Sequence, residues 1–595
     1  MSQQPQGGDT RNLIVTVVLS MAVFVVWFWL FPPTDKPKTD AAAPQTQEAT
    51  VPGAPGATAA PAFQHVPREA ALAAEGPRVV IDTPAVDGSI RLKGARFDDL
   101  KLKRYRTAIE KDAPEITLLE PVGVVNPYYA EFGWTAEPGA NVALPGADTE
   151  WRLASGDTLS PGKPVVLEWD NGQGLIFRRT INIDADYMLT IDDSVENRSG
   201  QPVKLFPYGA IVRGGVPFFR PIWVVHQGMV GVMNGTLHEK DYTEIVEEGA
   251  RIDSQETTGG WLGFTDHYWL TALAPAQNEP VTATFRAANQ GGWERFQADF
   301  VYKTAREIAP GASAGVTHNF FAGAKVVSLV DRYAEAGIQR FDMAVDWGWF
   351  FFLTKPIFLV MDWLYGLVGN FGVAILLLTV MLKALFFPLA NKSYESMAKM
   401  KKIQPEMLAL RERWKDDAPK LQQEMMALYR REKVNPVSGC LPLLLQIPVF
   451  FSLYKVLYVT IEMRHAPFFG WIQDLSAHDP TSVFNLFGLL PYAVPAYLML
   501  GAWPLINGMV MWVQMKMNPP APDPIQQRMF GLMPFIFMFM LASFPAGLVI
   551  YWAWNGFLSL AQQYTIMRRM KAEIHLFDNL KASWPFRLFF GRPGA

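Results

Sequence analysis

The chain has 595 residues, of which 50% are hydrophobic and only 18% are charged, below the roughly 25% of soluble domains, and this indicates a membrane protein. The single cysteine, Cys440, excludes an intramolecular disulfide framework and a zinc cluster built on thiolates. Acidic residues outnumber basic ones before Asp346 and the reverse holds after it, a division that disfavours a nucleic-acid-binding protein with one basic face.

The first predicted element is an apolar run at 13–31, which has no charged residue and is long enough to cross the roughly 30 Å hydrocarbon layer of a bilayer. We interpret residues 1–31 as an uncleaved transmembrane anchor. A cleaved signal peptide is the alternative, although its apolar core is usually shorter. Residues 32–76 are rich in Pro and Ala and poor in large apolar side chains, so they are predicted to form a disordered spacer.

Residues 77–322 have the pattern of a large all-β domain. Apolar and polar residues alternate at 281–287 and 295–300, and turn sequences such as Asn234-Gly235 separate runs of this kind. The pattern predicts a β-sandwich.

Residues 323–368 are predicted to connect this domain to the membrane. Apolar residues at helical spacing indicate an amphipathic connector, and they are Val326, Leu329, Val330, Tyr333, Ile338 and Phe341. A helix at 347–365 is predicted to lie in the membrane interface, because Lys355 and Asp362 form one polar stripe and tryptophans flank it.

Five further spans are predicted, and with the first they make six: 371–390, 441–462, 495–514, 529–544 and 548–566. The segments 392–434 and 567–595 are basic, and the positive-inside rule puts both in the cytoplasm. The predicted fold is therefore a multi-domain, polytopic α-helical membrane protein. It has a five-span core at 369–566, the β-sandwich on the outer side and both termini in the cytoplasm.

Within that core, residues 392–434 are predicted to form a helical hairpin. The sequence Asp416-Asp417-Ala418-Pro419 is typical of a helix start, with an acidic cap and Pro in the first turn. Methionines and a net positive charge favour a docking surface on this hairpin, and its candidate residues are Met407, Leu410, Trp414, Met425, Met426 and Tyr429. A solvated hairpin without a partner is the alternative.

Polar residues inside the spans are the candidates for a functional site. Lys383 precedes Asn391 by two helical turns, roughly 12 Å along a helix, and a charge deep in a bilayer is costly. A water-filled, positively charged groove would account for a set of polar residues together: Lys383, Thr379, Gln446, Asn507, Asn555, Ser559 and Gln562, with Lys455 as a second cation. The alternatives are that Lys383 snorkels to the headgroups and that the polar side chains hold helices together.

Motifs for catalysis or nucleotide binding are weak or missing. Ser396 and Lys399 have the spacing of an acyl-enzyme pair, but the companion motifs do not occur in the sequence. The sequence also contains no phosphate-binding G-x-x-x-x-G-K-[ST] pattern and no nucleophile elbow. We therefore predict a protein that is not an enzyme and has no cofactor, no metal and no nucleotide.

Several long motifs resemble those of the YidC family of membrane protein insertases. They are 260–269 (GWLGFTDHYW), 423–429 (QEMMALY), 434–436 (VNP), 439–443 (GCLPL), 474–476 (DLS) and 544–548 (FPAGL). Together with the order of the elements, the resemblance covers nearly the whole chain and is weakest in the spacer and the tail.

The resemblance implies a five-helix core in the bacterial inner membrane, with a hydrophilic groove open to the cytoplasm and to lipid. One basic residue of the groove, usually arginine, attracts the acidic end of a nascent inner-membrane protein, and Lys383 occupies that position here. The family further implies that the hairpin is needed for function, that the basic tail contacts the ribosome, and that the Sec translocon and membrane lipids are partners. Its periplasmic β domain resembles sugar-binding folds.

The expected function is thus insertion and folding of inner-membrane proteins. A secondary transporter would also place charge in the membrane, although it would typically show an internal repeat. A membrane-anchored carbohydrate-binding protein acting through the β domain is the other alternative.

Overall fold

The computed structural model describes residues 66–569, apart from 75, 216–224, 243–251, 291–292, 435–440, 493, 496–497 and 518–523. The predicted anchor at 1–31, most of the predicted spacer (32–65 and 75) and the tail beyond residue 569 lie outside the described residues. The prediction of a disordered spacer at 32–76 is wrong at its end, because residues 68–74 are helical and Arg68 forms ion pairs with Asp99 and Glu120. Within them, a short helix, α1 (Arg68–Ala74), precedes the β domain.

The β domain consists of two large sheets. Its strands are β1 (Arg78–Asp82), β2 (Val86–Arg91), β3 (Arg96–Arg106), β4 (Glu115–Leu119), β5 (Tyr128–Ala136), β6 (Arg152–Ser155), β7 (Thr158–Leu159), β8 (Val165–Asp170), β9 (Leu175–Ile183), β10 (Met188–Asn197), β11 (Val203–Gly214), β12 (Gly228–Met233), β13 (Thr236–Asp241), β14 (Ile252–Thr258), β15 (Trp261–Thr265), β16 (Trp269–Ala274), β17 (Pro280–Gln290), β18 (Trp293–Tyr302), β19 (Arg306–Ile308) and β20 (Ser313–Ala324).

The two sheets follow a non-sequential strand order. The first runs β14-β17-β18-β11-β5-β3-β2-β1-β7, with β19 beside β11 and β4 beside β3, and the second runs β13-β12-β15-β16-β20-β10-β9-β8-β6. The alternation in β17 is read correctly from the sequence, because Val281, Ala283 and Phe285 are buried. The predicted all-β domain is confirmed.

Aromatic side chains from both sheets meet in the core between them. Phe97 and Phe132 of the first sheet contact Phe320 of the second, with ring centroids 5.8 and 6.1 Å apart. Arg179 is buried in the same core and is neutralised by Asp193, at 2.7 Å. Its remaining donors reach the backbone carbonyl of Phe132 at 2.8 Å, so this buried charge links the two sheets.

The connector is helical for only part of its predicted length. Helix α2 (Val327–Glu335) buries Val327, Leu329, Val330 and Tyr333. It ends before Gly337, whose φ of 113° does not belong to a helix, and Phe341 is reached through a separate 3-10 turn at Phe341–Ala344. The prediction of helical structure through Ile338 and Phe341 is therefore wrong beyond Glu335, where the helix ends.

In the part of the chain that the structure describes, seven longer helices follow the 3-10 turn at Phe341–Ala344. They are α3 (Phe351–Val368), α4 (Phe371–Arg413), α5 (Ala418–Arg431), α6 (Leu441–Val459), α7 (Ala502–Met517), α8 (Pro524–Leu541) and α9 (Ala546–Arg569), with 3-10 turns at Ile461–Met463 and Val483–Gly488. In the described part of the chain, α3 and α4 are long and apolar enough to cross a membrane, and α6 and α8 contain shorter apolar stretches. The count of six spans stays a prediction.

Helix α4 differs from the prediction because it does not stop at residue 390. Its 43 residues continue from the predicted span into the first arm of the hairpin, with Pro388 and Pro405 inside the helix. Helix α5 begins where it was predicted, and Asp417 caps it by accepting a hydrogen bond from the Lys420 backbone N–H. The two arms share a small core of Ile403, Leu428 and Val434.

The β domain is fastened to the helices at one end of α6. The Val327 backbone N–H donates to Glu462 at 3.0 Å, and Lys455 of α6 pairs with Asp346 at 2.6 Å. On α3, Lys355 pairs with Asp331 at 2.9 Å. Lys355 on α3 therefore faces the connector, and the position of this helix in the membrane interface stays a prediction.

Candidate functional site

A small pocket with polar and apolar lining residues lies between α4, α6 and α9, with a cavity volume of about 40 Å³. Helix α4 contributes most of the lining, α6 adds two residues from one face, and α9 adds two residues one turn apart. The lining residues are Thr379, Leu382, Lys383, Phe386, Leu389, Ala390, Gln446, Val449, Tyr551 and Asn555. Helix α4 contributes apolar lining residues together with the polar Thr379 and Lys383, and α6 and α9 add the polar Gln446, Tyr551 and Asn555.

Lys383 is the charged group of this pocket. Its ammonium donates to the Ser559 hydroxyl at 2.6 Å, and Ser559 in turn donates to the Asn555 carbonyl at 2.8 Å. Tyr394 on α4 is also hydrogen-bonded to Ser559. Among the ion pairs of the described residues, none involves Lys383. A neutral hydroxyl therefore holds the ammonium, and its positive charge is not cancelled.

Thr379 and Gln446 complete the polar side. Thr379 is buried, and its hydroxyl donates to the Ile375 carbonyl of its own helix at 2.6 Å, so only its acceptor capacity remains for a ligand. The Gln446 amide donates to the Tyr551 hydroxyl, which joins α6 to α9 across the pocket. Both were predicted from the sequence.

Tyr551 is a lining residue that the sequence analysis missed. It lies one turn before Asn555 and two turns before Ser559, on the same stripe of α9. The spacing of this stripe was the available signal, but a tyrosine among apolar residues has the composition of a core position. Its hydroxyl makes it part of the polar wall.

The other predicted groove residues lie outside the lining. Gln562 donates to Asn391 at 3.0 Å, and this bond joins α9 to α4 farther along both helices. Asn507 is buried in α7, a helix that contributes no residue to the pocket as described. Four predicted residues thus line the pocket, Ser559 and Gln562 lie beside it, and Asn507 is apart from it.

The prediction that Lys455 is a second cation in the groove is wrong, because Lys455 does not line the pocket. It lies at the end of α6 nearest the β domain and pairs with Asp346 at 2.6 Å, with 13% of its side chain exposed. Its acidic partner, Asp346, comes from the connector that precedes the predicted five-span core. Lys455 therefore acts at the domain junction.

His267 joins the β domain to the same end of α6. Burial lowers its pKa to about 4, so the imidazole is neutral at physiological pH. In that state an Nε2–H donates to the Tyr458 carbonyl. This contact and the pair between Lys455 and Asp346 fix the end of α6 nearest the β domain. Gln446 lies on the same helix.

The hairpin candidates divide by exposure. Met407, Leu410 and Tyr429 pack against the hairpin core. Trp414 is half-buried between two cations, with Arg413 and Lys420 at 5.6 and 5.7 Å from its ring. Met425 is also half-buried, whereas Met426 is 48% exposed and Leu408 is 51% exposed. The exposed residues are the ones that a partner could contact.

Two family models match the chain. The one described as YidC periplasmic domain matches residues 78–360, and the one described as 60Kd inner membrane protein matches residues 363–573. A protein from Methylorubrum extorquens named membrane protein insertase YidC is 50% identical to this chain, and the match covers 97% of this chain and 98% of the relative. The one from Bradyrhizobium diazoefficiens is 48% identical, over 97% and 99%.

Among solved structures, the chain is similar to an active YidC insertase whose first transmembrane domain is resolved. That match covers 82% of this chain and 92% of the other, with a TM-score of 0.34 and 18% sequence identity. The family assignment rests on the family models and the sequence relatives.

The fold and the site define a membrane protein in which an all-β domain precedes a bundle of apolar helices around a cationic pocket. The relatives extend over nearly the whole chain, and the two family models cover both parts. The chain therefore belongs to the YidC family of membrane protein insertases. It is an insertase of the inner membrane and not an enzyme, and this assignment replaces the transporter and the carbohydrate-binding protein as principal functions.

Proposed function

We propose that the pocket around Lys383 receives the polar, acidic end of a nascent inner-membrane protein while its apolar segment passes into lipid. The observation that carries the proposal is the hydrogen bond of the Lys383 ammonium to Ser559, an uncharged partner, at 2.6 Å. A carboxylate of a substrate can take the place of this hydroxyl and would form an ion pair that the described residues do not give Lys383.

The surroundings of the pocket support this role. Helix α4 exposes large apolar side chains beside the pocket, such as Leu385 at 70% and Phe387 at 49%, so the protein meets lipid there. A polar end that enters between such helices crosses a shorter apolar distance than in plain bilayer. Burial of about 20 apolar residues of the substrate is itself favourable, and no nucleotide is needed.

Lysine in place of arginine has a chemical consequence. An ammonium is a compact point charge with rotatable donors, whereas a guanidinium presents a planar fork that matches a carboxylate. Lys383 should therefore attract acidic ends without strong demands on their orientation. The sequence position still provides the positive charge that the family resemblance implies.

The orientation follows from charge. The segments 392–434 and 567–595 are basic, and we place both in the cytoplasm, with six spans, both termini inside and the β domain in the periplasm. In this arrangement the hairpin, through exposed residues such as Met426, and the basic tail face the ribosome. The Sec translocon is the second proposed partner, and the protein acts alone or together with it.

The test uses the full protein in liposomes and newly translated single-span substrates that differ only in an acidic or a neutral translocated end. Protection of that end from protease is measured for wild type, Lys383→Ala, Lys383→Arg and Lys383→Glu. Lys516→Ala on α7 is the matched control, because it removes a cation outside the pocket. Folding of each variant is checked by thermal unfolding.

We expect Lys383→Ala to lower insertion of the acidic substrate by about tenfold, which corresponds to about 1.4 kcal/mol, and to affect the neutral one less. Lys383→Glu should be worse for the acidic substrate, and Lys383→Arg should retain activity. Equal losses on both substrates would refute attraction by charge. Protection no better than in empty liposomes, even with wild type, would mean that the protein needs its translocon partner for these substrates.

A further inference from the structure

The connection between α6 and α7 contains a long stretch without charge. From residue 480 to residue 515 the sequence has no Asp, Glu, Lys or Arg, yet α7 begins only at Ala502. The helix therefore starts later than the first residue of the predicted span at 495–514, and the described residues between 480 and 501 form an apolar loop ahead of it. A loop of this composition is unusual for a segment surrounded by water.

The two ends of this loop are tied together at a narrow neck. Asp479 is 2% exposed and accepts from the Trp503 backbone N–H at 2.9 Å. Thr481 accepts from the Ala502 backbone N–H at 3.0 Å, and the Val483 backbone N–H donates to the Leu500 carbonyl at 2.9 Å. These hydrogen bonds hold the two ends of the loop together.

The tip of the loop presents large apolar side chains outward. Leu489 is 82% exposed, the highest value among the exposed large apolar residues described. The other exposed side chains of the tip are Phe484, Leu486, Phe487, Leu490 and Tyr492. We call residues 484–492 the apolar tip.

Several backbone N–H groups of the apolar tip are hydrogen-bonded within the loop. The Phe487 backbone N–H donates to the Ser482 carbonyl at 2.7 Å, and the Leu490 backbone N–H donates to the Asn485 carbonyl at 3.1 Å. The Asn485 side chain accepts from the Gly488 backbone N–H at 3.0 Å. Backbone groups that leave water must find partners of this kind, so the tip can enter a layer poor in water.

Its conformation also holds the side chains outward. Leu486 and Phe487 have φ values of 51° and 58°. These values lie in the left-handed region, which residues other than glycine rarely adopt. Strain of this kind persists where the surroundings determine it. In water it would serve only to expose apolar surface, whereas contact with lipid would make the exposure favourable.

The loop emerges on the side of the β domain. Where α6 ends, Glu462 accepts from the Val327 backbone at 3.0 Å, and Arg464 donates to the Arg106 carbonyl of the β domain at 2.5 Å. In the same connection Phe469 and Trp471 are 63% and 45% exposed. Phe469 and Trp471 thus add exposed apolar surface to the connection between α6 and α7, at the end of α6 that contacts the β domain.

We infer that the apolar tip inserts into the lipid leaflet on the side of the β domain, at the level between headgroups and acyl chains, and anchors the start of α7 there. The partner is phospholipid. This inference is independent of the proposed role of Lys383, because it rests on a different segment.

The test labels the tip with a fluorophore that bromine atoms on lipid chains quench. Replacement of the single cysteine by Cys440→Ser gives a background for Leu489→Cys, which is labelled in the full protein and placed in vesicles of phosphatidylethanolamine and phosphatidylglycerol. Bromines are carried either near the headgroup or deep in the chain. The control is Val125→Cys, which is 59% exposed on the β domain.

We expect bromines near the headgroup to quench the label at 489 at least about threefold more than the label at 125, and iodide in water to quench the label at 125 more strongly. Iodide quenching of the label at 489 equal to that at 125 would overturn the inference. Efficient disulfide formation between two Leu489→Cys chains without quenching by bromine would also overturn it, since a second copy would then cover the tip. Leu486→Cys repeats the measurement at a second position of the tip.

Discussion

The ion pair between Lys455 and Asp346 should hold the β domain against α6. The change to test is Lys455→Met, which keeps the apolar stem of the side chain and removes its charge. Asp346 would then lose a partner at 2.6 Å while 26% of its side chain is exposed. Its hydrogen bonds from the Gly348 and His226 backbone N–H groups, at 3.0 and 3.4 Å, come from neutral donors, and the buried Lys325 is the other cation that interacts with it in the described residues.

The size of the effect follows from the geometry. Two unit charges 2.6 Å apart attract by about 6 kcal/mol at an effective dielectric constant of about 20, and desolvation offsets much of this. Removing one partner of a fully buried pair costs about 3–5 kcal/mol, and an exposed pair contributes about 1 kcal/mol or less. For this partly buried pair we expect a loss of about 2 kcal/mol in the free energy that keeps the junction closed.

Limited proteolysis of the connector measures that free energy, because cleavage follows the population of the open junction when closing is fast. A loss of about 2 kcal/mol raises the cleavage rate about 30-fold. Lys355→Met is the matched control, since its pair with Asp331 is more exposed, at 28% and 29%, and should change the rate less than about fivefold. The double variant Lys455→Met with Asp346→Asn should recover part of the loss. Strictly additive effects, or equal effects of the two lysines, would refute the reasoning.

Three further predictions concern stability. Burial lowers the pKa of His318 to about 4 against about 6.5 when unfolded, so between these pH values the unfolded state binds the extra proton. The β domain should therefore lose up to about 3 kcal/mol as pH falls through this window, and His318→Gln should flatten the dependence in thermal unfolding between pH 4 and 7. Gly323→Ala should cost about 1–3 kcal/mol in the same assay, because the added carbon would lie 2.1 Å from the Tyr187 ring; no change would contradict the packing. Asp417→Ala should weaken α5 by about 1 kcal/mol, seen as faster hydrogen exchange of its first amides, while the exchange of α4 stays unchanged.

Local signals explain which parts of the fold could be predicted from the sequence. The start of α5 was predicted because Asp417 and Pro419 act within one turn. The β domain was predicted because alternation needs only neighbouring residues. The start of α7 was misplaced because its cap, Asp479, lies far earlier in the chain. The continuation of α4 through residue 391 was missed because charge marks where lipid ends and carries no information on where the helix ends.

The candidate site shows the same division. Asn555 and Ser559 lie on one helical face, and Lys383 stands out as a charge in an apolar run, so a pattern within one helix was enough to predict them. The relation of Lys455 to Asp346 joins residues 109 positions apart, and no periodicity reports it. The pairing of Gln446 with Tyr551 likewise depends on how two helices pack.

The length of α4 has a mechanical consequence, since a helix of 43 residues is a lever about 64 Å long. At one end Asn370 donates to the Phe468 carbonyl at 3.1 Å and accepts from the Val373 backbone N–H at 3.1 Å, which makes a fixed pivot. The hairpin lies at the other end of α4, and Lys383 lies about a third of the way from Asn370 to that end. A sideways swing of the hairpin is therefore reduced about threefold at Lys383, and Pro388, which removes a backbone hydrogen bond just beyond it, reduces it further. The hairpin can follow a bulky partner while the ammonium stays within reach of Ser559.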